Sequence, residues 1–97
     1  MVGDRRIGSR FSADEEVEVF VPDASGNETR TGTLRDLSRS GARIRLEHAI
    51  PLNTAIRIKI RDQQLNASVR SCARMPGGFG VGIEFESEFE GPLRPAG

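Results

Sequence analysis

The chain has 97 residues, which suits one small domain with an economical hydrophobic core. Hydrophobic residues make up 36% of it, Trp and Tyr are absent, and 11 glycines favour a fold with many tight turns over a helical bundle. Lys and Arg (14) balance Asp and Glu (14), which argues against a general nucleic-acid binder, since such proteins usually carry a basic excess.

The first ten residues have neither helical nor strand periodicity, and they contain Arg5, Arg6 and Arg10. We interpret residues 1–10 as a flexible arginine-rich arm. On composition alone, a solvated tail without a function is an equally good reading. The guanidinium groups nevertheless have the planar donor geometry that suits phosphates and the O6/N7 edge of guanine.

Apolar residues then recur at every second position, which predicts a series of short, half-buried strands. The segments with this pattern or with extended-chain composition are residues 11–21, 28–35, 42–47, 56–61, 65–73 and 81–85. Turn-forming residues separate these segments. We therefore expect an all-β fold, a small antiparallel barrel of six or seven strands over residues 11–86, because a closed barrel leaves no exposed edges. Residues 87–97 are expected to form a short C-terminal tail, either one helical turn or a loose segment.

A polar turn at residues 36–41 separates two of the predicted strands. Asp36 and Ser38 offer a carboxylate and a hydroxyl, and Gly41 removes a side chain where another group must come close. Judged locally, this is an ordinary turn in which Asp and Ser accept from backbone amides and Gly takes a positive φ.

Taken together, the arm and the turn resemble the two-part signature of the PilZ domain, the bacterial receptor module for cyclic di-GMP. The matching residues are Arg6-x-x-x-Arg10 and Asp36-x-Ser38-x-x-Gly41, and the resemblance extends over residues 4–86. Each half alone is common, whereas both halves in this order within an all-β pattern form a specific signal.

The resemblance implies a ligand, cyclic di-GMP, and no catalytic cofactor. Arg6 and Arg10 would grip phosphates and guanine edges and stack on the bases. Asp36 would accept from guanine N1–H and N2–H₂, Ser38 would add a hydrogen bond to phosphate or base, and Gly41 would let the backbone approach. Binding would order the arm and change a surface that a downstream protein partner reads.

An additional arginine, Arg5, directly precedes the first half of the signature. In the PilZ family, an arginine at this position tends to accompany binding of a stacked pair of ligand molecules. The resemblance therefore implies a dimeric ligand here, and the alternative is a solvated side chain.

Two other functions are alternatives to a cyclic di-GMP receptor. One is a ligand-independent interaction module of PilZ type, because some members have lost the signature and bind partners regardless. The other is an oligonucleotide-binding barrel, which fits poorly because such barrels stack bases on surface aromatics and the five Phe lie mostly at core-like positions. We expect no DNA or RNA partner.

The sequence offers little support for catalysis, a metal site or membrane insertion. His48 is the sole histidine, and Cys72 lies in a predicted strand, where a small buried side chain is the usual role. With one cysteine and no membrane-length apolar run or secretion signal, we expect a cytoplasmic protein.

Overall fold

The structure, a computed structural model, describes residues 11–23 and 26–93, with side chains from Glu15 onward. This part of the chain contains no helix that is long and apolar enough to cross a membrane. It is built from six strands: β1 (Phe11–Asp23), β2 (Gly26–Leu37), β3 (Gly41–Leu46), β4 (Ala55–Ile60), β5 (Gln63–Met75) and β6 (Gly78–Phe85).

The six strands form a closed antiparallel barrel in the order β1-β2-β3-β6-β5-β4. Three residue pairs between β1 and β4, centred on Val19 and Ile58, close the ring. The predicted all-β barrel is therefore confirmed, with six strands in the described residues. Strand β5 begins earlier than its apolar pattern indicated, because Gln63 and Gln64 pair with the end of β4.

The core consists of the apolar residues that the alternation placed on one face of each strand. Val17, Val19 and Val21 of β1 are buried, and β4 repeats the pattern with Ile56, Ile58 and Ile60. No polar or charged residue is buried among the described residues. The threonine face of β2 lies outside, with Thr29 and Thr31 exposed and Thr33 half-buried.

The core continues beyond the last strand to Phe89, which is only 2% exposed. Its amide donates to the carbonyl oxygen of Arg39 across 2.9 Å, and residues 86–93 contain neither helix nor strand. The expected short C-terminal tail therefore contains no helical turn in these residues, and its aromatic residue is packed into the barrel.

Four parts of the chain meet at one end of the barrel. Phe11 at the start of β1 pairs with Leu37 at the end of β2, and the amide of Phe85 donates to the carbonyl oxygen of Ser40 across 2.8 Å. The β4–β5 turn lies at the same end, since Ile60 pairs with Gln63 and Ala67 pairs with Phe85. This end therefore carries the turn between β2 and β3, which holds one half of the sequence signature.

Candidate functional site

The turn between β2 and β3 is held together by the Ser38 hydroxyl. Ser38 Oγ accepts from the amide of Gly41 and donates to the Gly41 carbonyl oxygen, both across 3.2 Å. The amide of Ser38 also donates to the same carbonyl oxygen across 2.9 Å. The side chain thus does for the tight turn what a backbone carbonyl does in an ordinary hairpin.

Gly41 meets a steric requirement of the barrel. It does not have a positive φ, so turn geometry alone does not demand a glycine there. A Cβ at this position would collide with the carbonyl oxygen of Ile83 on the neighbouring strand β6. The group that must come close to Gly41 in this structure is therefore the backbone of β6.

Asp36 reaches the surface through an irregularity in β2. The register of the β2–β3 pairing shifts between Leu34 and Asp36, after which Asp36 lies opposite Arg43. The Asp36 side chain is 23% exposed, and its Oδ2 atom lies 3.8 Å from Nε of Arg43. The carboxylate is therefore half-buried and has a guanidinium beside it.

The three turn residues of the signature line one open concavity on the outer face of the barrel. The concavity has a volume of about 570 Å³ and is also lined by Arg43, Arg70, Ser71, Gly82 and Glu84. Its walls carry charges of both signs, which suits a ligand that combines anionic phosphates with hydrogen-bonding bases.

Arg70 is a lining residue that sequence reasoning missed. Its Nε donates to Oε1 of Glu84 across 2.7 Å, and its Nη1 donates to Oδ1 of Asn53 across 3.3 Å. Arg70 occupies an irregularity in the β5–β6 pairing, where the register shifts between Val69 and Ser71. No local pattern marks this position, because its neighbours come from strands that are distant in sequence.

Arg39 is a second residue that the sequence did not single out, although it lies inside the signature. Its Nη1 donates to the carbonyl oxygens of Phe89 and Gly91 across 2.9 and 2.6 Å. The turn is thereby tied to the C-terminal segment. The contact spans fifty residues of chain, so spacing within the motif could not reveal it.

A second concavity lies at the same end of the barrel beneath the C-terminal segment, with a volume of about 600 Å³. Its lining includes four carboxylates, Asp62, Glu86, Glu88 and Glu90, against the single cation Arg61. Arg61 makes a two-point ion pair with Glu15, with N–O distances of 2.9 and 3.0 Å. An anionic ligand would meet repulsion there, so the concavity beside the turn is the better candidate.

Arg5, Arg6 and Arg10 lie outside the described residues. What the structure does give is the position at which the arm joins the barrel. Ser12 pairs with Asp36 and Phe11 pairs with Leu37, so β1 begins directly beside the turn.

The remaining polar candidates do not form a site among the described residues. His48 is exposed, and no group of three or more His, Cys, Asp or Glu side chains in the described ranges could hold a metal ion. Cys72 is partly buried against the core.

The family model of the PilZ domain matches residues 4–93 of the chain. Among solved structures, the chain is similar to the PilZ domain of YcgR from Escherichia coli with c-di-GMP, at a TM-score of 0.57 and 21% identity. This similarity covers 86% of the present chain and 79% of the other. No curated protein sequence matches at a significant level. At 21% identity, the structural likeness establishes a shared fold.

Proposed function

Because this chain belongs to the PilZ domain family, we propose that it is a receptor for cyclic di-GMP rather than an enzyme. The ligand would lie in the concavity beside the β2–β3 turn, held by Arg6 and Arg10 of the arm and by Asp36 and Ser38 of the turn. Ligand binding would order the arm and create a surface for a downstream protein.

The observation that carries this proposal is the pairing of Phe11 with Leu37. One peptide bond joins Arg10 to Phe11, so their Cα atoms are about 3.8 Å apart, and Arg6 is at most about 18 Å of extended chain away from Phe11. Both halves of the signature are therefore within reach of one ligand, although 25 residues of chain separate Arg10 from Asp36.

Asp36 supplies the recognition of guanine in this proposal. A carboxylate accepts from the N1–H and N2–H₂ groups of guanine, whereas adenine presents no such donor pair on that edge. The Nε atom of Arg43 lies 3.8 Å from Oδ2 of this carboxylate, whose two oxygens have lone pairs enough to accept from the base as well. We expect Arg43 to remain beside Asp36 when the ligand is bound.

The hydrogen bonds of the turn limit which bonds the Ser38 hydroxyl can make to a ligand. A hydroxyl has one donor hydrogen and two acceptor lone pairs, and the hydrogen and one lone pair are engaged with Gly41. It therefore accepts a hydrogen bond from a ligand N–H or an arm guanidinium without disturbing the turn, but it must give up its bond to the Gly41 carbonyl to donate to a phosphate.

Arg5 belongs to the proposed site as a contact to a second ligand molecule. Two stacked cyclic dinucleotides bring four phosphate charges into the site, and a third arm arginine compensates part of that charge. A stoichiometry of two ligands per chain for the natural sequence, reduced to one by Arg5→Ala, is the expected pattern.

Calorimetric titration tests the proposal, since the chain lacks Trp for a fluorescence assay. Cyclic di-GMP should bind the wild-type chain, and Arg10→Ala should weaken binding at least about tenfold. Arg74→Ala is the matched control, because this exposed arginine lies near the opposite end of the barrel. Cyclic di-AMP should give no heat. A folded sample that gives no heat with cyclic di-GMP at high micromolar concentration would overturn the proposal.

The second candidate, a ligand-independent interaction module, has one observation in its favour. Ser38 and Gly41 both have structural roles within the barrel itself, since the Ser38 hydroxyl holds the turn together and Gly41 lies close to the Ile83 carbonyl oxygen. Their presence is therefore explained without any ligand. This candidate predicts partner capture that is unchanged by cyclic di-GMP and by Arg6→Ala.

A further inference from the structure

The β1–β2 hairpin extends beyond the rest of the barrel at the end opposite the candidate site. The ladder between β1 and β4 stops at the pair Phe20 and Arg57, and the ladder between β2 and β3 stops at the pair Thr33 and Arg45. The described residues beyond those pairs form a two-stranded ribbon with two outer edges, at 21–23 of β1 and 26–31 of β2.

The backbone groups that face each outer edge follow from the hairpin register. Only two residues separate Asp23 from Gly26, so this pair exchanges hydrogen bonds, and hydrogen-bonded pairs alternate from there. The non-hydrogen-bonded pairs are Pro22 with Asn27, Phe20 with Thr29 and Glu18 with Thr31. The backbone groups of Asn27, Thr29 and Thr31 therefore point away from β1.

The two edges differ in what they offer to another strand. On β1 the outward-facing position is Pro22, which has no N–H to donate, and proline is a common means of blocking an edge strand. On β2 the outward-facing positions are Asn27, Thr29 and Thr31, all exposed and all with an N–H. No ladder partner covers them in the described part of the chain. Only the β2 edge is therefore open to strand addition.

We propose that the occupant of this edge is a second copy of the same chain, paired antiparallel through residues 27–31 of β2 about a twofold axis at Thr29. In this register, Thr29 faces Thr29 and Asn27 faces Thr31 as hydrogen-bonded pairs. Glu28 faces Arg30 of the second copy, twice, as non-hydrogen-bonded pairs in which side chains lie closest. The pairing is thus complementary in charge as well as in hydrogen bonding.

Neighbouring registers are disfavoured by the same charges. In a symmetric pairing, the two residue numbers of every facing pair add up to the same total. Residues whose backbone points to the edge must face one another, so this total can change only in steps of two. One such shift places Arg30 opposite Arg30, and the other places Glu28 opposite Glu28. Like charges directly opposite each other destabilise a strand pair, so the charges select the register centred on Thr29.

The surroundings of Arg30 and of the edge fit an added strand. Arg30 contacts Glu28 of its own strand across 3.2 Å, and its Nε and Nη1 atoms are buried without a hydrogen-bond partner in the described residues. If the Arg30 side chain turns toward the edge on pairing, a carboxylate from the second copy provides the acceptor that these two buried donors lack. Beyond Thr31, a concavity of about 390 Å³, lined by Thr31, Gly32, Leu46 and Glu47 among others, leaves room for the end of the second hairpin.

Sedimentation equilibrium of the whole chain over a concentration series, without nucleotide and with a reductant to keep Cys72 unpaired, tests this proposal. We expect a monomer–dimer equilibrium for the wild type. Glu28→Lys and Arg30→Glu should each weaken the dimer about tenfold or more, since each replaces two attractive pairs by two repulsive ones. The double variant E28R/R30E should restore the dimer, because the pairing is again complementary.

Glu18→Lys is the matched control, because Glu18 is an exposed carboxylate of the adjacent strand outside the pairing, and it should sediment as the wild type does. Far-UV circular dichroism confirms that each variant is folded. A wild-type chain that is monomeric throughout the series overturns the proposal. So does a dimer that the single charge reversals leave intact, or one that the double variant fails to restore.

Discussion

Gly41 lies where β3 passes close to β6, and a side chain there would collide with the carbonyl oxygen of Ile83. Gly41→Ala should therefore reduce the free energy of unfolding by about 1–3 kcal/mol, because the backbone of one strand must move to admit a methyl group. Urea unfolding followed by circular dichroism measures this. Any loss of ligand binding in this variant would then reflect the barrel as well as the site.

Ser40→Ala is the control for that measurement, because Ser40 is exposed in the same turn and its hydroxyl makes no hydrogen bond to another described residue. Its carbonyl oxygen, which accepts from Phe85, is kept in the variant. The free energy of unfolding should change by less than about 0.5 kcal/mol. An unfolding midpoint for Gly41→Ala as high as that of Ser40→Ala would contradict this prediction, because it would show that β3 and β6 move apart without a loss of stability.

Some residues of the candidate site could be predicted from the sequence, and others could not. Asp36, Ser38 and Gly41 were selected from the sequence, and they do line one concavity. Their neighbours Arg70 and Glu84 were not selected, because they reach the concavity through the register of β5 and β6. A local motif predicts the residues of one turn. The residues on the opposite wall of the concavity are brought there by pairings between strands that are distant in sequence.

Among the elements, the C-terminal segment contributes more to the fold than its sequence indicated. Proline and glycine interrupt residues 87–97, and a single aromatic residue in such a segment has no periodicity that predicts burial. In the structure, Phe89 is 2% exposed, Arg39 binds its carbonyl oxygen, and the guanidinium of Arg61 lies 5.9 Å from its ring centroid. Strands with a clean alternation, such as β4, were predictable because burial there repeats at every second residue.

Phe89→Ala should destabilise the barrel by about 3 kcal/mol, since it removes a buried aromatic ring from the end of the core. Thermal or urea unfolding measures the change. Glu88→Ala is the control, because the preceding side chain is exposed, and it should have little effect. A chain that ends at Glu86, the boundary expected for the barrel from sequence, should lose at least as much stability as Phe89→Ala. Equal stability of the shortened and complete chains would contradict a structural role for this segment.

At the scale of the whole molecule, the barrel is the part that folds, and residues 1–10 are the arm proposed to bind the ligand. The buried apolar residues of the described chain all lie between Val17 and Phe89, and the ring of strands closes without any residue before Phe11. The pattern of the sequence already favoured this division, since Met1, Val2 and Ile7 are the only apolar side chains in residues 1–10 apart from glycine positions, and they follow neither a helical nor a strand period. The shape of the barrel was accessible from alternation, whereas the arrangement of the arm around a ligand depends on contacts that no periodicity encodes.

Deletion of residues 1–10 should therefore remove ligand binding and leave the barrel folded, with a free energy of unfolding within about 1 kcal/mol of the complete chain. Cyclic di-GMP at one hundred times its dissociation constant should stabilise the complete chain by about 2.7 kcal/mol, because it binds the folded state alone. The shortened chain should show no such gain, since it lacks the three arm arginines. Urea unfolding of both chains with and without nucleotide measures all four values. Stabilisation of the shortened chain by the nucleotide would show that the barrel residues alone bind it, and would contradict the role proposed for the arm.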